Sequence, residues 1–193
     1  MDFPIYELRI SDKVQDDAEI SAVALVDAPA IKRDFLAFKE HLKFEVLSET
    51  DNILAGPLMI PEQLIYRNSE KFGEHYVKFS VDTIFQCALK YAKKSLQCSV
   101  NIMHDAAMTV ENVTMFNNFV TNEKYGIQPL AKFSDLPWGT WFGIFKVENP
   151  QVMDSVKSGL LKGFSVEGMF DYEAPMTPDQ QKLHELKKIL NSF

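Results

Sequence analysis

The sequence is short of the residues that most often announce a function. Four histidines occur in 193 residues, His41, His75, His104 and His184, and no two are three or four positions apart. Local spacing therefore offers no zinc site. The two cysteines, Cys87 and Cys98, do not form a C-x-x-C pair. Free thiols in a reduced, cytosolic setting are the expectation. No run of Lys and Arg exceeds two residues, as at Lys93–Lys94 and Lys187–Lys188, and 27 acidic residues outnumber 20 basic ones. Nucleic-acid binding through a basic patch is not expected. No apolar run is long enough to cross a bilayer, so no membrane partner is expected. The opening "MDFPIYELRI" has neither a basic region nor an apolar stretch and does not read as a secretory signal. No cofactor is expected.

Apolar residues make up 46% of the chain, which suits a folded protein with one sizeable core. Fifteen phenylalanines point to a core built on bulky rings. Short apolar, β-branched and aromatic runs recur between turn signals. Strands are expected at 6–10, 20–26, 44–48, 52–60, 75–80, 98–103, 113–120, 139–147 and 162–170. Ser80 and Asp82 predict a helix from Val81 to about Ser95. Asn149 and Pro150 predict a short one closed by Gly159. Thr177 and Pro178 predict a last, mostly polar helix. The fold class is therefore α+β: a bent β-barrel of about seven to nine mostly antiparallel strands with two or three flanking helices. Residues 1–173 form the barrel domain. Residues 174–193 form a linker and a C-terminal amphipathic helix or tail.

The stretch "LLKGFSVEGMF" holds Ser165 between Gly163 and Gly168, with Glu167 two positions on. On residue type, this is a small hydroxyl in a tightly packed strand. It is also where a nucleophile could stand on a rigid element. The G-x-S-x-G elbow of α/β-hydrolases does not apply, because "GFSVEG" continues as a strand. A serine nucleophile needs a base. His41 and His184 lie in charged or polar stretches, and His75 reads as a surface residue at the start of a strand. His104 follows the strand "CSVNIM" and precedes Asp105, at a place where a side chain is firmly held yet faces a loop.

The order of these segments resembles the prohead serine proteases of tailed phages, most closely the XkdF-like branch. The resemblance rests on "NIMHD", on "WGTWFGIFKVENPQVMDSVKSGLLKGFSVEGMF", on "ISAVALVDAPAIKRDFLAF" and on "GPLMIPEQLIYR". It covers about residues 5–172, and its specificity lies in motif order rather than in any one motif. It implies a fold like that of herpesvirus assemblins. It implies a serine endopeptidase with Ser165 as nucleophile and His104 as base. It implies action in the host cytoplasm inside the procapsid, on phage scaffold and major capsid proteins as substrates. The portal, a homodimer and self-processing are further partner readings.

In the larger family, a strand carrying an acidic residue follows the nucleophile. The similar stretch here, residues 22–30, comes first, as in a circular permutation. Ala22 stands where that acid would align, and Asn117 stands where XkdF-like sequences carry another. The group that orients His104 is therefore open. Glu167 is favoured because it shares a strand face with Ser165. Asp105 adjoins His104 but would point to the opposite face of a strand. Asp27 and Glu19 are weaker choices, and a dyad needs no third member. The alternative function is a catalytically inactive barrel protein acting in head assembly.

Overall fold

The computed structural model describes residues 3–10, 19–27 and 43–173. Glu19's side chain, His41, His184 and the helix expected after Pro178 lie outside the described residues. The described chain is mostly strand, with twelve strands and two helices arranged as three four-stranded sheets.

The first sheet holds β1 (Ile5–Arg9), β5 (Ile65–Ser69), β6 (Gly73–Phe79) and β12 (Asp171–Glu173), in the order β12-β1-β6-β5. The second holds β3 (Glu45–Ser48), β4 (Ile53–Met59), β9 (Val113–Val120) and β10 (Trp141–Val147), in the order β3-β4-β10-β9. The third holds β2 (Glu19–Val26), β7 (Val100–Ile102), β8 (Asp105–Thr109) and β11 (Gly163–Met169), in the order β11-β2-β7-β8. Most pairings are antiparallel, but β1–β6 and β2–β7 run parallel.

The three sheets share one core. Leu8, Val77 and Phe79 come to it from the first, Leu54, Leu58 and Phe145 from the second, and Val23, Leu25, Val100 and Phe164 from the third. At the start of β10 both faces are buried. Trp141 enters the main core, where Tyr91 meets it edge-on with centroids 5.5 Å apart. Phe142 enters a second cluster with Ile60, Phe133 and Leu136.

The helices follow their local signals. Helix α1 (Val81–Lys93) is capped by Ser80, whose Oγ accepts from the Thr83 amide at 3.3 Å. Its inward face carries Ile84, Cys87, Ala88 and Tyr91. Helix α2 (Pro150–Lys157) is capped by Asn149, whose Oδ1 accepts from the Val152 amide at 3.2 Å. Gly159 follows it with φ of +74°, a left-handed closing position that glycine adopts without a side-chain clash.

His75 is not a surface residue. It is fully buried, because it shares the inward face of β6 with Val77 and Phe79 at two-residue spacing. The rings of Tyr6, Phe72 and Tyr172 surround it at centroid distances of 5.5–5.7 Å. Its Nδ1 lies 2.8 Å from the Gly73 carbonyl oxygen.

Candidate active site

Strand β11 is held from behind by its phenylalanine. Phe164 stacks on Phe145 at 4.4 Å between centroids and meets Phe44 at 5.3 Å. Gly56 on β4 permits this approach. A Cβ there would lie 3.0 Å from Phe44 Cα and 3.3 Å from a Phe164 ring carbon. With Phe164 turned inward, Ser165 and Glu167 take the opposite face of β11.

The neighbouring strand supplies a low floor. Ser165 is in register with Ala24 of β2, and Glu167 with Ala22. Ala24 is in turn in register with Asn101 of β7. At about 4.8 Å per strand spacing, Ser165 and Asn101 have Cα atoms roughly 10 Å apart on one face. Only two methyl groups stand between β11 and β7. Glu167 therefore reaches over β2, and Asn101 Nδ2 donates to its Oε2 at 2.7 Å.

His104 arrives by a different device. It is the second residue of the two-residue turn Met103–His104, which is closed by the Ile102–Asp105 pair. Both turn residues have positive φ, 56° and 60°. This is the type I′ pattern that suits a tight hairpin but normally selects Gly or Asn. The Met103 amide donates to the Leu25 carbonyl oxygen at 3.0 Å and ties the turn to β2. His104 Nδ1 then lies 3.7 Å from Glu167 Oε2, the same oxygen that Asn101 holds. That separation is ion-pair contact, longer than a formed hydrogen bond.

The other carboxylates do not meet His104. Asp105 is exposed, and its Oδ1 accepts from the Ala107 amide at 2.9 Å, so it serves the turn. Asp27 is exposed at the end of β2. Asn117 is exposed on β9 of the second sheet, opposite Ile144.

Ser165 is 5% exposed, whereas the side chains of His104 and Glu167 are 40% and 35% exposed. Among the described residues the Ser165 hydroxyl makes no hydrogen bond, to His104 or to any other group. Asn101 is equally buried, and its Oδ1 has no partner among the described residues. A buried acceptor left in that state costs about 1–3 kcal/mol. Packing alone does not explain an amide there. Sequence reasoning passed over Asn101, although a polar residue between Val100 and Ile102 in a buried strand was a signal.

No three His, Cys, Asp or Glu side chains among the described residues gather closely enough to hold a metal ion. No helix among them is long and apolar enough to cross a membrane. The buried thiol of Cys87 is inert. Burial pushes the Cys87 thiol up to about 12, an effect that nearby Lys90 only partly offsets, so it stays protonated near neutral pH.

A carboxylate facing Nδ1 favours the imidazole tautomer with its proton on Nδ1, leaving Nε2 to accept one. With a hydroxyl on the same sheet face, these are the parts that acyl transfer through a serine requires. No family model, curated protein or solved structure matches this chain.

Proposed function

We propose that this protein is a serine endopeptidase of the prohead-maturation kind. One observation carries the reading: His104, from the β7–β8 turn, and Glu167, from β11 far along the sequence, meet at 3.7 Å on the sheet that bears Ser165. Ser165 Oγ attacks the scissile carbonyl as His104 takes its proton. His104 then protonates the leaving amine, and water hydrolyses the acyl-enzyme. Glu167 holds the imidazole in its productive tautomer.

The fold proposed for this activity is a bent, permuted barrel of the assemblin kind. The pairing of β2 against β11 supports the permutation. An N-terminal strand lies beside the nucleophile strand, where the larger family has the strand that follows it. The position of the missing acid, Ala22, is the cross-strand neighbour of Glu167. A carboxylate from β11 thus serves the space that one from the adjacent strand would serve. By the same reading the substrates are phage scaffold and major capsid protein segments, cleaved inside the procapsid.

A second reading, an inactive head-assembly protein, draws on the absence of a Ser165–His104 hydrogen bond among the described residues. Catalytic hydrogen bonds are often long before substrate binds and tighten in the complex. A fluorophosphonate probe separates the two. The protease is expected to be labelled at Ser165 and to process co-expressed scaffold, with both lost in Ser165→Ala. Unlabelled protein, or undiminished processing by Ser165→Ala, selects against the protease.

A further inference from the structure

We infer that Asn101 is a positioning residue of this site, acting through Glu167 to fix the imidazole of His104. The inference rests on the protease reading for its consequence, but not for its geometry. Asn101 is 5% exposed, and among the described residues the one hydrogen bond of its side chain runs from Nδ2 to Glu167 Oε2 at 2.7 Å. That oxygen also faces His104 Nδ1. The bond fixes which way the amide points, because the reverse orientation would set Oδ1 against a carboxylate oxygen. Glu167 has a third of its side chain in solvent, and without a donor its carboxylate can turn outward and hydrate. Asn101 sits across Ala24 from Ser165, two strands away, so it steadies the carboxylate without standing in the path of the hydroxyl. The tight turn at Met103–His104 sets the backbone from which the ring projects, and Asn101, three residues earlier on the same hairpin, sets what the ring faces. This is the support that ligating and catalytic histidines take from groups one step behind them.

The test is 15N NMR of the imidazole together with probe labelling, in the full chain. The unaltered protein is expected to show His104 mainly as the Nδ1–H tautomer, and the Asn101 side-chain amide as slowly exchanging protons. Glu167→Gln, which leaves Asn101 in place, is expected to shift those amide protons. Asn101→Leu, which keeps the branched heavy-atom skeleton without the donor, is expected to fold, to mix the His104 tautomers and to slow labelling of Ser165 about 10–100-fold. Asn101→Gln, which keeps the donor on a longer arm, is expected to recover part of that rate. An unchanged tautomer mixture in Asn101→Leu overturns the inference, and so do Asn101 amide protons indifferent to Glu167→Gln. Failure of Ser165 to label in the unaltered protein instead strikes the protease reading, and the NMR result still decides the role of Asn101.

Discussion

Glu167 and Ala22 face each other across the β11–β2 pair, carboxylate against methyl. Cβ atoms so placed are about 5 Å apart, close enough for either position to present a group to the same point above the sheet. The side that carries the acid is therefore exchangeable. Glu167→Ala is expected to lower the rate of Ser165 labelling by at least about 100-fold, by analogy with the loss of an orienting carboxylate in a serine triad. Adding Ala22→Asp to that variant is expected to recover about tenfold. Measured labelling rates for the single and double variants decide it, and a double variant no faster than Glu167→Ala refutes the exchange.

On the proposed reading, the turn holding His104 sets stability against catalysis. A non-glycine residue in the left-handed region costs about 1–2 kcal/mol, and asparagine tolerates it better than histidine or methionine does. His104→Asn is expected to be at least as stable as the unaltered protein in urea unfolding, while labelling of Ser165 is abolished. Met103→Asn is expected to gain up to about 1 kcal/mol with labelling retained, since Met103 is 43% exposed and loses little burial. A marked loss of stability in both variants would contradict the type I′ assignment.

The close approach of β4 to β11 makes Gly56 sensitive. A Cβ there meets the backbone of Phe44 rather than the end of a flexible chain. Gly56→Ala is expected to cost about 1–3 kcal/mol through overpacking and to slow labelling of Ser165, because Phe164, next to Ser165 on β11, is crowded along with Phe44. Denaturant midpoints and labelling rates test both halves of this expectation.

The buried thiol predicts an alkaline limit. The folded state raises Cys87 above its ordinary 9.0, to about 12, chiefly by burial. The neutral thiol is therefore favoured by folding. Its contribution is whole below pH 9 and is lost as pH rises toward 12, at a slope of up to ~1.4 kcal/mol per pH unit. Burial raises Tyr91 too, so its contribution is lost in the same direction. Thermal unfolding between pH 8 and pH 11, about as far as this window can be followed, is expected to show a shallower decline in Cys87→Ala. In the native protein a thiol reagent is expected to modify exposed Cys98 and to reach Cys87 only on unfolding.

Much of the architecture was legible because its signals are local. Each of the nine expected strands meets an observed one, and the caps at Ser80 and Asn149 hold. Three strands were missed for distinct reasons. On β8, "DAAMT" is exposed throughout and has no alternation to read. On β12, "DYE" is only three residues long and lies beyond the last apolar run. On β5, "IYRNS" exposes its polar half. The parallel pairings of β1 with β6 and β2 with β7 left no mark in the sequence, since partners in a sheet are chosen by tertiary packing. At the site, strand parity was enough to put Glu167 beside Ser165. It went unread for His75, whose two-residue spacing with Val77 and Phe79 places it on the buried face, and it does not extend to His104, which follows its strand in a two-residue turn.

The place of β2 in the third sheet has a consequence for the newly made chain. β2 is made long before its partner β11, as the 146-residue separation of the Ser21–Glu167 hydrogen bond illustrates. Until β11 arrives, the apolar run "ISAVALV" has one open edge with unpaired amides and carbonyls. Such an edge invites pairing with other chains. The same late step that closes this edge brings Ser165 and Glu167 onto the sheet with Asn101 and His104. A chain interrupted before β11 thus lacks Ser165 and Glu167 and keeps an edge prone to aggregate, so on the proposed protease reading the chemistry and the solubility of the chain mature together.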